Sequence, residues 1–249
     1  MLPGDGAESV GTLPVVPDSP TAPIAPAPTS IDAFIDPMCP FAYQTSLWLR
    51  DVRDRVGVDL RWRFFSLEEI NREPGQPHPW ERDWAYGFSQ MRVGALLRRQ
   101  GQQAVDEWYA AVGHAFFVDA RPTHDPDVHR AVLAEIGVDP AVLDEALADS
   151  TTAEEVRADH DEVVETHGGH GVPTLVFDTG QVLFGPVVAP APTGDAALRL
   201  WDLVCAWGEV PYLYELRQPK TADDLTHLGE QFAPYFTARA WKSVAKPAP

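Results

Sequence analysis

Apolar and polar positions change period several times along the chain, and each change marks an element. Ile31-Asp-Ala-Phe-Ile35 is short, apolar and closed by Asp36-Pro37, which predicts a buried strand. After Cys39 the spacing becomes helical. Phe41, Leu47, Trp48, Val52 and Val56 share a face, Arg50, Asp51, Arg53, Asp54 and Arg55 lie opposite, and Gly57 ends the run. Leu60, Trp62 and Phe64 then alternate with Arg61 and Arg63, the period-two pattern of a half-buried strand. Strand, helix, strand at this spacing predicts a right-handed βαβ unit.

Residues 66–168 show no strand pattern and read as several helices. Asp125-Pro126 and Asp139-Pro140 each place a capping aspartate before a first-turn proline, and Gly137 closes the helix between them. Thr152-Ala-Glu-Glu155 has capping-box spacing, and its helix should stop at Gly168-Gly169. Thr174–Phe177 and Gln181–Phe184, joined by Asp178-Thr-Gly180, predict a hairpin. A helix is expected from about Gly194 to Gly208, with Leu198, Trp201, Leu203, Val204 and Cys205 as its apolar side. Tyr212–Leu216 is expected to pack and 246–249 to fray. Residues 1–29 form a proline-rich tail, expected to lack fixed structure because its prolines deny helix and ladder hydrogen bonds. The expected organisation is a tail (1–29), one domain (30–220) split by a helical insertion (66–168), and a C-terminal extension (221–249). It matches the α/β thioredoxin fold with a helical insertion between the second and third strands.

Composition narrows the function. The chain of 249 residues carries 19 Lys and Arg against 37 Asp and Glu, a formal net charge of -18. That surface repels phosphate backbones and anionic headgroups, so nucleic-acid and membrane roles are not expected. Residues 1–49 hold no Lys or Arg, so no charged secretory n-region is seen, and no apolar run reaches transmembrane length. Two cysteines cannot staple a domain of this size, and a reducing cytoplasm is the expected compartment.

Cys39 is the main chemical candidate. It sits where a strand gives way to a helix, directly before Pro40, a residue suited to the first helical position. A sulfur there faces unpaired backbone N–H groups and the positive end of the helix dipole, both of which favour thiolate. Position alone leaves this reading level with inert burial. Gly171-Val-Pro-Thr174 is the second candidate: a cis Val172–Pro173 bond would free Val172 backbone groups for an extended thiol ligand, although trans is the commoner state. His167-Gly-Gly-His170 lacks a third metal ligand, and surface positions are expected for His114, His124, His129 and His160. Asp36 caps the turn before Cys39 or passes protons. Trp48, Trp80, Trp84, Tyr86 and Trp108 suit core packing better than a pocket lining. No nucleotide-binding, hydrolase or zinc-protease motif is visible.

Asp36-Pro-Met-Cys-Pro-Phe-Ala-Tyr43 with Ser46-Leu-Trp48, Gly171-Val-Pro-Thr174, Phe184-Gly-Pro-Val187 and Leu200-Trp-Asp202 resembles the DsbA-like family of mycothiol-dependent reductases, nitroreductases included. The resemblance runs from about Ile31 to about Thr221. It implies a cytosolic enzyme exchanging electrons with a small thiol, mycothiol or a relative, as co-substrate, and acting on a small oxidised substrate. It implies Cys39 as attacking cysteine and Pro173 as cis proline, with Pro40, Phe41, Tyr43 and Val172 shaping the thiol site. No metal or nucleotide is expected, and a homodimer is left open. One departure matters: Ala42 stands where the resolving thiol of the Cys-Pro-x-Cys pattern belongs, so release of a mixed disulfide must come from outside the motif. Cys205, on an apolar helix face, is expected to be packing. Two rivals follow, a kappa-type thiol S-transferase and a thioredoxin-fold scaffold without redox activity.

Overall fold

The computed structural model describes residues 27–210 and 212–239; the expected tail up to residue 26 and the expected fraying of 246–249 lie outside them. Strand β1 (Ser30–Ile35) is central, in a sheet of order β2-β1-β3-β4. It pairs in parallel with β2 (Asp59–Phe64), placing Ile31, Ala33 and Ile35 opposite Leu60, Trp62 and Phe64. It pairs antiparallel with β3 (Thr174–Phe177), which forms a hairpin with β4 (Val182–Phe184) around Gly180 at φ +86°. Ile31, Ala33, Phe34 and Ile35 are all buried, so both faces of β1 are covered.

Helix α1 (Pro40–Val56) is closed by Gly57 in the left-handed region at φ +75°, with its N–H returned to the Arg53 carbonyl. Its inward face centres on Trp48, fully buried, whose indole Nε1 donates to the Ala197 carbonyl (3.0 Å) and so ties α1 to α8 (Asp195–Trp207). Burial of such a side chain contributes roughly 2–3 kcal/mol. Leu47 and Val56, expected on this face, are exposed at its edges.

The segment between β2 and β3 is helical throughout: α2 (Leu67–Ile70), a 3₁₀ turn at Pro79–Glu81, α3 (Tyr86–Arg98), α4 (Gln102–Phe117), α5 (Pro126–Glu135), α6 (Val142–Ala148), α7 (Ser150–Asp161) and a π-helical turn at Glu162–Thr166. Two carboxylates fasten this block. Asp106 on α4 accepts from Arg50 Nε (2.6 Å), Arg53 Nη1 (2.7 Å) and Trp62 Nε1 (2.9 Å), linking α4 to α1 and β2. Asp159 on α7 accepts from the Phe64 N–H (3.0 Å), Arg63 Nε (2.8 Å) and Arg98. Both are buried acids whose oxygens are shared among several donors, the condition for burial at tolerable cost.

Several local expectations are corrected. Thr152 does not open α7. Asp149 caps it, its Oδ1 accepting from the Thr151 N–H (2.9 Å), while Thr152 is buried and donates back to the Ala146 carbonyl (2.7 Å). Asp139 caps a turn through the Ala141 N–H (2.9 Å), and α6 begins only at Val142. Leu203 on α8 is exposed. Tyr212 and Tyr214 are 84% and 86% exposed and Leu216 is exposed too, so of Tyr212–Leu216 only Leu213 is half-buried, its carbonyl accepting from Trp207 Nε1 (3.0 Å). The chain then continues as α9 (Ala222–Gln231) and α10 (Ala233–Ala238).

Candidate functional site around Cys39

Cys39 is the N-cap of α1, in extended conformation (φ -93°, ψ 114°), and Pro40 takes the first helical position. The Cys39 N–H donates to the Asp36 carbonyl (3.0 Å) and its own carbonyl accepts from the Tyr43 N–H (3.1 Å), which fixes the turn. The sulfur accepts from the Ala42 N–H (3.4 Å) and donates to the Val172 carbonyl (3.5 Å). Val172–Pro173 is a cis peptide, as are Gly185–Pro186 and Ala189–Pro190. The two motifs read separately in the sequence thus meet at one sulfur. Ala42 is buried on α1, and both cysteines are free thiols.

The electrostatics differ from the expectation of an acidified thiol. Cys39 is 8% exposed, and burial pushes its thiol up to about 11; the N–H groups of Ala42 and Phe41 oppose that rise, while Asp36 adds to it. The helix N-terminus offers donors, but desolvation of a thiolate outweighs them in this covered site. Cys205 is likewise pushed up to about 11, by burial and then by Asp202 and Glu209.

Asp36 is fully buried. Its Oδ1 accepts from the Met38 N–H (2.8 Å) and Oδ2 from the Leu67 N–H (2.8 Å). Burial raises it to about 7, opposed by those two N–H groups and assisted by Glu68. It caps the turn that leads to Cys39. Gly87 makes this possible, since a Cβ there would lie 2.7 Å from Asp36 Oδ1.

Aromatic residues complete the surroundings. Phe41 projects from the first turn of α1 and meets the ring of Phe232 edge-on (5.1 Å between centroids, 83°). Tyr43 turns inward, stacked on Phe117 of α4 (5.0 Å, 22°), and Gly113 leaves room for it: a Cβ there would approach Tyr43 Cδ2 to 2.4 Å. Tyr109 is fully buried, its phenol raised well above the usual range by burial first and then by Cys39. Trp48 and Trp108 are core residues, as composition suggested.

Nothing in the hydropathy pattern places Phe232 beside Phe41. The available signal was local: Thr221-Ala-Asp-Asp224 is a capping box, with the Thr221 N–H donating to Asp224 Oδ2 (2.8 Å) and the Asp224 N–H to Thr221 Oγ1 (3.2 Å). The histidines divide. His114 is exposed, but His124, His129 and His160 are buried, contrary to expectation. Among the described residues no His, Cys, Asp or Glu cluster could hold a metal ion, and no helix is long and apolar enough to cross a membrane.

A four-stranded mixed sheet, a cysteine capping the first helix and a proline loop against its sulfur define an α/β protein of the DsbA-like thioredoxin class. Solved structures agree on the fold: the "probable DsbA oxidoreductase SCO1869" of Streptomyces coelicolor (TM-score 0.52, 21% identity, 78% of this chain and 97% of that one) and the cytosolic disulfide reductase DsbM of Pseudomonas aeruginosa with GSH (TM-score 0.51, 20% identity, 70% and 98%). The family described as Rv2466c-like, mycothiol-dependent nitroreductase Rv2466c, matches residues 38–218, and the chain belongs to it. A relative described as uncharacterised protein Rv2286c of Mycobacterium tuberculosis is 52% identical over 216 residues, covering 87% of this chain and 93% of that protein. The family and fold support a thiol–disulfide oxidoreductase.

Proposed function

We propose that the protein is a single-cysteine thiol–disulfide oxidoreductase in which Cys39 carries a mixed disulfide with a small thiol, mycothiol by family, and a second thiol molecule releases it. The carrying observation is the Cys39 sulfur held between the Ala42 N–H and the Val172 carbonyl, with no sulfur at position 42. The thiolate of Cys39 attacks the mycothiol-side sulfur of a substrate–mycothiol disulfide, forming the Cys39–mycothiol mixed disulfide and expelling the substrate half as thiolate. A second mycothiol attacks the mycothiol sulfur of that mixed disulfide, leaves as mycothiol disulfide and returns Cys39 as thiolate. The sum converts one free mycothiol and the substrate–mycothiol disulfide into mycothiol disulfide and the substrate thiol, with no group left over.

In this reading Pro40 and Phe41 wall the sulfur, and Val172 and Pro173 hold the thiol's backbone-like portion through the Val172 polar groups. Tyr43 supports Phe117 and the first turn from inside. Burial holds the covered thiol well above its ordinary acidity range, so in this reading attack follows uncovering of the sulfur. The proposed compartment is the cytoplasm.

The test is intact mass of the reduced protein after exposure to mycothiol disulfide, with peptide mapping. One mycothiol adduct on Cys39, absent from Cys39→Ser, supports the reading. A protein that stays unmodified on Cys39 while its fold is intact overturns it.

A further inference from the structure

The C-terminal helices lie outside the 38–218 region matched by the family, and the stretch from Phe232 to Ala238 packs against the residues flanking Cys39. Helix α9 buries none of its residues, and the segment that leads to it from Tyr214 is exposed. The appendage is therefore held by the short stretch from Phe232 to Ala238. Phe232 is buried edge-on against Phe41. Tyr235 packs on Phe116 (5.6 Å, 90°) and Phe117 (5.6 Å, 33°), and Ala238 joins the same cluster, with Met38 at its border. The contacts fall on both sides of Cys39 in the sequence, at Met38 before it and at Phe41 two residues after it. The apolar packing of this appendage is concentrated where it meets the Cys39 turn and the end of α4.

We propose that Phe232, on the stretch that Tyr235 anchors, is a specificity-determining residue that restricts Cys39 to small-molecule disulfides and excludes protein disulfides. This rests on the exchange chemistry proposed above. A disulfide within a protein arrives on an extended chain that must lie along Cys39 and the Val172 backbone. Here Cys39 and Val172 are both nearly covered, and the Phe41–Phe232 contact walls the next position. A small disulfide presents its sulfurs on slender substituents and needs less room beside the Phe41–Phe232 contact than an extended chain does. Exclusion by a wall, rather than attraction to the right partner, is the simplest source of such discrimination. In the step itself the Cys39 thiolate forms one S–S bond as the substrate's breaks, and the departing half leaves as thiolate.

The experiment uses the full chain with Cys205→Ser, so that Cys39 is the single thiol. Because Ala42 cannot resolve the product, the small disulfide leaves a countable mixed disulfide; insulin's displaced thiolate stays on the same molecule, so its exchange is run with iodoacetamide to alkylate that thiolate as it forms, and directly alkylated Cys39 is counted separately. The parent protein, Phe232→Ala and the milder Phe232→Leu are exposed to 2-hydroxyethyl disulfide and to native insulin, with near-ultraviolet circular dichroism as the fold control. The parent should take the small disulfide at least about 100-fold faster than insulin, a difference of about 2.7 kcal/mol in barrier. Phe232→Ala should raise the insulin rate about tenfold or more and the small-disulfide rate less, with Phe232→Leu between. Equal parent rates, or a ratio unchanged in Phe232→Ala, overturn the proposal. If neither disulfide gives an adduct, the exchange chemistry itself has failed. Iodoacetamide and its fluorescein conjugate then decide the wall alone: preferential acceleration of the bulky reagent in Phe232→Ala upholds it, and an unchanged ratio overturns it.

Discussion

The acidity of Cys39 is where local and global effects oppose each other, and alkylation of the native and unfolded chain measures which prevails. The helix N-terminus and the Ala42 N–H pull the thiol down, whereas near-complete burial and Asp36 push it up, to about 11 against an ordinary 9.0. Two units correspond to about 100-fold less thiolate at pH 7. The more basic thiolate is intrinsically the better nucleophile, by about tenfold across two units at a Brønsted slope near 0.5. The net expectation is native alkylation at least about tenfold slower than in the unfolded chain, before any steric hindrance. The assay is iodoacetamide labelling of the Cys205→Ser protein with and without urea, followed by mass spectrometry from pH 6 to 10. The native rate should rise tenfold per pH unit across that range without a plateau. A native rate that levels off below pH 8, or exceeds the unfolded rate, would refute the dominance of desolvation.

Other consequences reach beyond the sulfur. His129 is buried with Nδ1 facing the Thr123 carbonyl (3.3 Å) and Nε2 accepting from Trp108 Nε1 (3.3 Å), an arrangement that suits the neutral ring. Burial, with Arg130 assisting, depresses it from 6.5 to about 4, so the unfolded chain binds the proton first. Its stabilisation is present above pH 6.5 and is lost as pH falls to about 4, up to about 3 kcal/mol; urea titrations should show that slope reduced in His129→Gln. An unaltered slope would contradict the assignment. Gly113→Ala drives a methyl into the Tyr43 ring and should cost about 1–3 kcal/mol, read as a lowered Tm.

The sheet, α1 and the hairpin were legible because their patterns are strictly periodic and their ends carry strong signals: Gly57 and Gly180 in left-handed conformation, and Cys39 before Pro40. Motif order also brought Cys39 and Val172 to one expected site, since each was tied to a strand end. Thr152 misled because Asp149, three residues earlier, also satisfies a helix start, and only packing shows that Thr152 lies beneath α3, its hydroxyl accepting from Arg92 Nε (3.0 Å). Tyr212–Leu216 misled through apolar composition without period. The raised thiol and the Phe41–Phe232 contact were invisible for one shared reason: both depend on what covers the site, which is set by elements far apart in the chain.

In the proposed cycle a thiol from solution, not one from the chain, releases Cys39. The most direct measurement is the rate at which the Cys39–mycothiol mixed disulfide disappears as free mycothiol is varied, in the parent protein and in Cys205→Ser. The rate should be proportional to free mycothiol and equal in both proteins. A rate independent of mycothiol, accompanied by a Cys39–Cys205 disulfide and abolished in Cys205→Ser, would contradict it.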